Sequence, residues 1–244
     1  MPGIHISDCE TYLGDGGTDA PAIYVIDAPE HPFDMVSLAR GRVSTIVRIP
    51  VSEWRQNLTP WPAEALYRGE PDFGGEAAAT LGELIGETIP GIEARDGLVP
   101  IARGVCGYSL GGLFALYALT HTSVFSACGC VSGSVWYEGW VDHLRELDRD
   151  LAGTFAYLSL GTKERRAARP LLKTVQDRME DCAAILTAKG CVVDYRTGPG
   201  NHLQHIHRRV DTALGALDSF LTGKGGVCPT KAGQTPPLPV PLPE

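Results

Sequence analysis

The sequence predicts an α/β fold, with an open, mostly parallel sheet covered by helices on both faces. Two observations predict this architecture: short runs rich in β-branched residues alternate with helical stretches, and the chain has 244 residues. Strands that alternate with helices need crossover connections, which make the strands parallel and place helices on both faces. The length suits one α/β domain, so we expect a single domain with no large cap domain.

Six short runs of residues predict strands, and the first, second and fourth of them are expected to be buried. In chain order they are 23–27, 44–51, 104–109, 125–132, 154–161 and 191–198. The third of these runs, GVCGYS, leads directly into a glycine-rich turn. Continuous apolar runs without polar alternation are typical of strands that are buried on both faces of a sheet.

Helical patterns fill the intervals between the predicted strands. The predicted helices are 33–41 (ending at Gly41), 76–89, 113–121, 169–189 (ending at Gly190) and a last helix after His202. Pro90 is expected to stop the second helix, because proline has no N–H to donate and its ring collides with the preceding turn. The last helix has an apolar face formed by Ile206, Val210, Leu214, Leu217 and Leu221.

The composition changes at Gly223. The segment 223–244 holds six of the eighteen prolines and shows neither helical nor strand periodicity. We therefore expect an α/β domain over 1–222 and a Pro/Gly-rich flexible tail over 223–244. The PPLPVPLP run within this tail also matches the kind of ligand that SH3 domains bind, an alternative to a plain tail.

The charge and composition of the chain limit the kinds of partner that we expect it to bind. Acidic residues number 29 and basic residues 21, giving a net charge of −8, which opposes binding to nucleic acid or to an anionic membrane surface. The N-terminal sequence lacks the pattern of a signal peptide, and no apolar stretch approaches the ~20 residues that span a bilayer. The seven cysteines form no Cys-x-x-Cys pair, so buried, reduced thiols are expected. We expect a cytoplasmic protein with a small-molecule partner; association into a homo-oligomer is left open.

The most informative motif is Gly107-Tyr108-Ser109-Leu110-Gly111, a G-x-S-x-G match between a predicted strand and a predicted helix. In that context a serine sits on a strained strand-to-helix turn that exposes its hydroxyl as a nucleophile. Side chains two positions before and after the serine would collide in so tight a turn, which explains the two glycines. The alternative is a glycine-rich packing turn with an incidental serine.

A serine nucleophile needs a histidine base that is oriented by a carboxylate. On an α/β-hydrolase sheet these follow the serine in the order acid, then histidine. His202 follows the strand at 191–198 and precedes the last helix, where a base can reach over the strand ends, whereas His121 and His143 are expected on the surface. Glu164 follows the strand at 154–161 and is preferred over Asp194, which lies within a strand.

Three histidines lie close together in the sequence after the last predicted strand. His202, His205 and His207 could form a metal site, but their spacing does not place three imidazoles on one face of an element, and no second ligand cluster accompanies them. We therefore expect no metal and no cofactor.

Four segments together resemble a known family. They are the W-x-x-x-L-T-P-W stretch at 54–61, GYSLGGLFALYA at 107–118, the S-x-S-x-W stretch at 132–136, and the pair LSLGTKE and PGNH at 158–164 and 199–202. The chain resembles the putative-esterase (esterase D-like) group of the α/β-hydrolase superfamily, which includes relatives of enterobactin esterase. The resemblance implies Ser109 as nucleophile, Glu164 as acid and His202 as base.

Two further sets of site residues are predicted. The backbone amide of Leu110, just after the nucleophile, is expected to stabilise an oxyanion, with the amide of Ala28 as a second donor because Pro29 has none to offer. Trp54 and Trp136 are expected either to bind substrate or to pack loops over the sheet edge.

These residues predict a serine carboxylic-ester hydrolase that acts through a Ser-His-Glu triad and an acyl-enzyme on a small or soluble ester. Two alternatives stay open: an acyltransferase with the same triad, which passes the acyl group to an alcohol, and a non-catalytic binding protein of the same fold. The complete set of Ser109, Glu164 and His202 argues against the second alternative, because drift would be expected to break at least one member.

Overall fold

A computed structural model describes residues 4–224. Nine strands are found in this part of the chain: β1 (Glu10–Tyr12), β2 (Ala22–Asp27), β3 (Thr45–Pro50), β4 (Pro62–Ala63), β5 (Phe73–Gly74), β6 (Arg103–Tyr108), β7 (Ala127–Val131), β8 (Phe155–Gly161) and β9 (Val192–Gly198). The six predicted strands correspond to β2, β3, β6, β7, β8 and β9. The proposed tail at 223–244 lies, except for its first two residues, outside the described residues, and so does the SH3-ligand-like run.

The main sheet has seven strands in the order β1-β3-β2-β6-β7-β8-β9, while β4 and β5 form a separate two-stranded ribbon. All neighbours in the main sheet are parallel except β1, which pairs antiparallel with β3 at the edge. The prediction of a mostly parallel sheet is therefore confirmed. Because β6, β7, β8 and β9 are parallel neighbours, the loops that follow them emerge at the same edge of the sheet.

Nine α-helices lie within the described residues: α1 (Met35–Ala39), α2 (Trp54–Asn57), α3 (Ala77–Glu83), α4 (Ile89–Asp96), α5 (Leu110–His121), α6 (Trp140–Glu146), α7 (Pro170–Lys173), α8 (Val175–Ala188) and α9 (Ile206–Leu221). Two hydrophobic clusters lie on opposite faces of the sheet. Tyr24 and Ile26 of β2 point into the larger one, and the alternate residues Ile23 and Val25 point into the one beneath α1 and α9. The predicted cover on both faces is confirmed.

The prediction that Pro90 ends a helix is wrong. A π turn over Leu84–Thr88 joins α3 to α4, and Pro90 lies in the first turn of α4. The π turn shifts the hydrogen bonds by one residue just before the proline, so the helix accommodates a residue without an N–H. The helix ends instead at Gly97, which adopts a left-handed conformation with φ +65°. The helix predicted over 169–189 is likewise divided, into α7 and α8.

Within residues 4–224 no helix has the length and apolarity needed to cross a bilayer. Six cysteines in this part of the chain are buried and free, as predicted for reduced thiols, and Cys228 lies outside it. Burial raises the pKa of the Cys106 thiol to about 12, so this group stays protonated and unreactive at neutral pH.

Candidate active site

Ser109 lies on the sharp turn between β6 and α5. Its backbone has φ +57° and ψ −118°, a conformation that is strained for any residue with a side chain. A Cβ atom at Gly107 would collide with the backbone of Gly111, so position 107 requires glycine. At Gly111 the nearest atom to an added Cβ would be in the Trp54 ring at 3.4 Å, an ordinary contact. The predicted steric need for glycine therefore holds at Gly107 and not at Gly111.

Three of the predicted site residues form a continuous chain of hydrogen bonds. Nε2 of His202 lies 3.0 Å from Oγ of Ser109, and Nδ1 of His202 lies 2.9 Å from Oε2 of Glu164. Each residue comes from a loop that follows a different strand: Ser109 after β6, Glu164 after β8 and His202 after β9. The parallel sheet thus brings together residues that are up to 93 positions apart in the sequence.

Glu164 is buried, with 6% of its surface exposed. Its second carboxylate oxygen, Oε1, accepts three hydrogen bonds, from the amide of Gly161 at 2.6 Å, from Oγ of Ser132 at 2.8 Å and from Nη1 of Arg209 at 2.9 Å. Burial by itself raises the pKa of Glu164, but the hydrogen bonds from His202, Gly161 and Ser132 outweigh it and lower the pKa below its ordinary value. The carboxylate is therefore ionised at neutral pH and directs Oε2 at the imidazole.

Tyr108, the residue before the serine, supports the histidine. Its hydroxyl donates a hydrogen bond to the backbone carbonyl of His202, and the two rings lie 5.2 Å apart. Burial raises the pKa of Tyr108 to about 12, so the hydroxyl keeps its proton. A variable position of the motif thereby fixes the backbone that carries the imidazole.

The residues that were alternatives to Glu164 and His202 have other partners. Asp194 binds Arg196 on β9, with an Nη2–Oδ2 distance of 2.8 Å. His121 and His143 are only partly buried and bind each other, with their Nε2 atoms 3.1 Å apart. In the described part of the chain no group of three or more potential metal-binding side chains is present.

The two predicted oxyanion donors differ in the hydrogen-bond partners of their amides and in their position relative to the cleft. Leu110 is the first residue of α5, where amides have no acceptor within the helix, and it lines the same cleft as Ser109. The amide of Ala28 donates to its neighbour Asp27, with a 2.9 Å distance between N and Oδ1, and Ala28 does not line the cleft. An oxyanion could receive a bond from Ala28 only if the bond to Asp27 were broken.

A cleft of about 370 Å³ opens above the serine. Its walls are mainly apolar and include Phe73, Trp136, Leu172, Val175 and Leu203. Trp136 therefore lines the cleft, as one of the two predictions for it proposed. Trp54 does not, and its ring packs against the turn at Gly111 instead.

Sequence reasoning missed Arg209, which contacts both Glu164 and Ser132 from α9. One signal was available: Arg209 follows Ile206 by three residues and precedes Ala213 by four, so it lies on the apolar face of the last helix. A charged residue on such a face needs a buried partner.

A comparison with known families assigns the chain to one of them. Residues 10–201 match the family described as "Putative esterase". The chain belongs to the putative-esterase family. As a member of this family it is an esterase.

One curated relative and one solved structure each match most of the chain. The uncharacterized protein YbbA of Bacillus subtilis (strain 168) is 30% identical over 196 residues, which cover 75% of this chain and 77% of YbbA. Among solved structures, an IroE-like serine hydrolase from Shewanella oneidensis has a TM-score of 0.70 at 19% identity, covering 86% of this chain and 75% of the other.

Two further solved structures share the fold of this esterase. The siderophore hydrolase EstA from Aspergillus nidulans has a TM-score of 0.62 at 17% identity, covering 86% of this chain and 94% of EstA. The enterobactin esterase FES from Shigella flexneri has a TM-score of 0.64 at 18% identity, covering 86% of this chain and 54% of FES.

Proposed function

We propose that the protein hydrolyses a carboxylic ester through a triad of Ser109, His202 and Glu164 and a covalent acyl-enzyme. The observation that carries this proposal is the hydrogen-bond chain from Oγ of Ser109 through both nitrogens of His202 to Oε2 of Glu164. A serine hydroxyl is a weak nucleophile until an adjacent base takes its proton, and this chain supplies that base and its orientation.

In the first half of the reaction, Oγ of Ser109 attacks the ester carbonyl while Nε2 of His202 accepts the hydroxyl proton. The carbonyl oxygen becomes an oxyanion, which the amide of Leu110 stabilises; removal of one such donor costs about 3 kcal/mol in other serine hydrolases. The tetrahedral intermediate collapses, and His202 protonates the departing alcohol. Glu164 holds the imidazole tautomer and stabilises the imidazolium.

In the second half of the reaction, a water molecule takes the place of the departed alcohol and attacks the acyl-enzyme. His202 takes a proton from water as the water oxygen attacks the acyl carbon, and the proton returns to Oγ of Ser109 when the acid leaves. The reaction consumes one ester and one water and gives one acid and one alcohol. All proton transfers run through His202, so this scheme calls for no cofactor or metal.

The cleft supports a small or soluble ester with an apolar portion. Its mainly apolar wall contacts the substrate next to the serine, and about 370 Å³ accommodates a group of modest size. Esters of siderophores are one substrate class to test, because two proteins of the same fold are described as a siderophore hydrolase and an enterobactin esterase.

The test is hydrolysis of p-nitrophenyl acetate and butyrate by the wild type and by Ser109→Ala, together with labelling by a fluorophosphonate. We expect Ser109→Ala to lose labelling and at least roughly 10⁴-fold of kcat. Ser134→Ala is the matched control, because its Oγ lies only 3.4 Å from Oγ of Ser109 in the same cleft. This variant should still be labelled, with the adduct on Ser109 by mass spectrometry.

Other outcomes would favour the alternatives. Turnover that is unchanged in Ser109→Ala removes Ser109 from the mechanism. A wild type that neither turns over esters nor reacts with the fluorophosphonate favours a binding protein. An added alcohol that competes with water for the acyl group favours an acyltransferase.

A further inference from the structure

Arg209 occupies a buried position directly behind the acid of the proposed triad. Only 6% of its surface is exposed, and it lies in the first turn of α9. Its Nη1 atom donates to Oε1 of Glu164 at 2.9 Å and to Oγ of Ser132 at 2.8 Å. Ser132 in turn donates to the same Oε1, so the three groups form a closed triangle of hydrogen bonds.

The second terminal nitrogen of Arg209 binds the segment that carries the base. Nη2 donates to the backbone carbonyls of Pro199 at 2.9 Å and Asn201 at 3.1 Å, immediately before His202. Each terminal nitrogen of a guanidinium has two N–H groups, so all four are engaged by these four acceptors. One side chain thus joins the acid to the loop of the base.

The planar guanidinium makes this junction rigid. Its nitrogens keep fixed positions relative to one another, so the position of Glu164 and that of the loop before His202 are set by a single group. His202 itself has 38% of its side chain exposed, so packing against neighbours such as the Tyr108 ring covers only part of it. The position of the imidazole therefore also depends on hydrogen bonds: those with Ser109 and Glu164, and those that hold the backbone of His202.

The positive charge of Arg209 also stabilises the ionised form of Glu164. A carboxylate that is buried without a cation is costly, and it tends to take up a proton or draw water into the site. The 2.9 Å ion pair with Arg209 compensates Oε1 while Oε2 remains available to His202. Arg209 thus helps to hold Glu164 as an ion without using the oxygen that faces the base.

We propose that Arg209 is a positioning residue of the esterase: it sets the distance between Glu164 and His202 and thereby raises kcat, without touching the substrate. This proposal rests on the proposed triad. Arg209 is absent from the walls of the cleft above Ser109, so its loss should affect kcat far more than KM.

The test compares Arg209→Met and Arg209→Lys with a matched control, Arg103→Met. Arg103 is also buried and binds a buried carboxylate through two nitrogens, at 2.7 and 2.9 Å from the oxygens of Glu93. It lies at the start of β6, at the opposite end of the strand from Ser109. The control therefore measures how much stability and activity are lost when any buried arginine that binds a carboxylate through two nitrogens is removed.

We expect kcat for p-nitrophenyl butyrate to fall about 100-fold in Arg209→Met, with KM changed less than about threefold, since a misplacement of 1 Å can cost about 10²-fold. The rate of fluorophosphonate labelling should fall in parallel. Arg209→Lys should be intermediate, because a lysine has three N–H groups on one point charge and cannot reach four acceptors. Arg103→Met should keep the wild-type kcat per folded molecule, counted by the labelled fraction at completion.

A double-mutant cycle with Glu164→Gln tests whether Arg209 acts through the acid. In the Glu164→Gln background, Arg209→Met should cost less than about tenfold in kcat, because the geometry that it maintains is already impaired. Losses that multiply fully would overturn this role, and so would an Arg209→Met enzyme whose kcat equals that of Arg103→Met. If Arg209→Met does not fold, an Arg209→Lys enzyme with wild-type kcat overturns it equally.

Failure of the proposed function gives a different result. In that case the wild type and Ser109→Ala turn over esters at the same rate, and the role of Arg209 falls with the triad. A large difference between the wild type and Ser109→Ala, combined with no effect of Arg209→Met beyond that of Arg103→Met, overturns the role of Arg209 alone.

Discussion

The hydroxyl of Ser132 donates a 2.8 Å hydrogen bond to Oε1 of Glu164, although 32 positions separate them in the sequence. Ser132 follows β7 directly, is fully buried and has a positive φ of +46°. Its amide donates to the carbonyl of Ser159 on β8, at 2.8 Å. The first serine of the S-x-S-x-W stretch therefore ties two strand ends together at the point where the carboxylate is held.

Replacing Ser132 by alanine should reduce both activity and stability. A hydrogen bond to a charged group contributes about 1.5–3 kcal/mol, so we expect Ser132→Ala to lower kcat about tenfold and to lower the Tm by several degrees. The control is Ser44→Ala, because Ser44 is also buried and its hydroxyl has no hydrogen-bond partner among residues 4–224. Equal effects of the two substitutions on kcat would contradict the role of Ser132 in holding the Glu164 carboxylate.

The two glycines of the motif should respond differently to substitution. Gly107→Ala places a methyl group against the Gly111 backbone, which cannot move without distorting the turn, and we expect a loss of at least about 3 kcal/mol of unfolding free energy. Gly111→Ala meets only the Trp54 ring and Ile26, at 3.4 and 3.6 Å, and should remain folded. Urea unfolding and fluorophosphonate labelling of both variants check this, and a Gly107→Ala enzyme that is stable and labelled would contradict it.

The sequence predicted the features that depend on local patterns. Each predicted strand is a short run that is rich in apolar or β-branched residues, and the three residues of the candidate triad follow three of these strands at the same edge of the sheet. Parallel pairing alone then brings the loops after β6, β8 and β9 together, so Ser109, Glu164 and His202 could be proposed without knowing any distance.

Features that depend on contacts between distant segments could not be predicted in the same way. Arg209 meets Glu164 only because α9 packs beneath β8, and Trp54 faces the turn at Gly111 only because α2 packs against α5. Pro90 was mispredicted for a related reason: the rule that proline ends a helix neglects a π turn, and packing of the buried residues Leu84 and Ile89 favours a continuous helix.

The stability of the protein should depend on pH through Glu164. Burial raises the pKa of this carboxyl, but hydrogen bonds from His202, Gly161 and Ser132 lower it further than burial raises it. In the unfolded chain a glutamate has a pKa of about 4.3, so the folded protein binds fewer protons than the unfolded chain just below that pH. The stabilisation is complete above this value and is lost as the pH falls through the lowered pKa of the folded state.

We therefore expect the free energy of unfolding to fall more steeply below about pH 4.5 in the wild type than in Glu164→Gln, which has no carboxyl to titrate. Urea unfolding at a series of pH values between about 6 and 3 measures both slopes. Parallel slopes for the two proteins would show that the pKa of Glu164 is the same in the folded and unfolded states.

Substitution of the two tryptophans that were predicted to bind substrate should have different effects. Trp136 lines the cleft, where its ring lies 6.1 Å from that of Phe73, so its removal takes away contacts that bind the substrate in the ground state and the transition state alike. For Trp136→Ala we expect KM for p-nitrophenyl butyrate to rise about tenfold while kcat changes little. The smaller acetate ester should be affected less, because it reaches less of the apolar wall.

Trp54→Ala is the matched comparison, since Trp54 packs behind the turn at Gly111 and lies outside the cleft. Loss of a packed tryptophan leaves a cavity and costs about 3 kcal/mol of unfolding free energy, while KM should stay close to the wild-type value. Steady-state kinetics gives kcat and KM for each variant, and thermal unfolding gives its Tm. A rise in KM in Trp54→Ala without loss of stability would place the ester on the other side of the turn from the cleft.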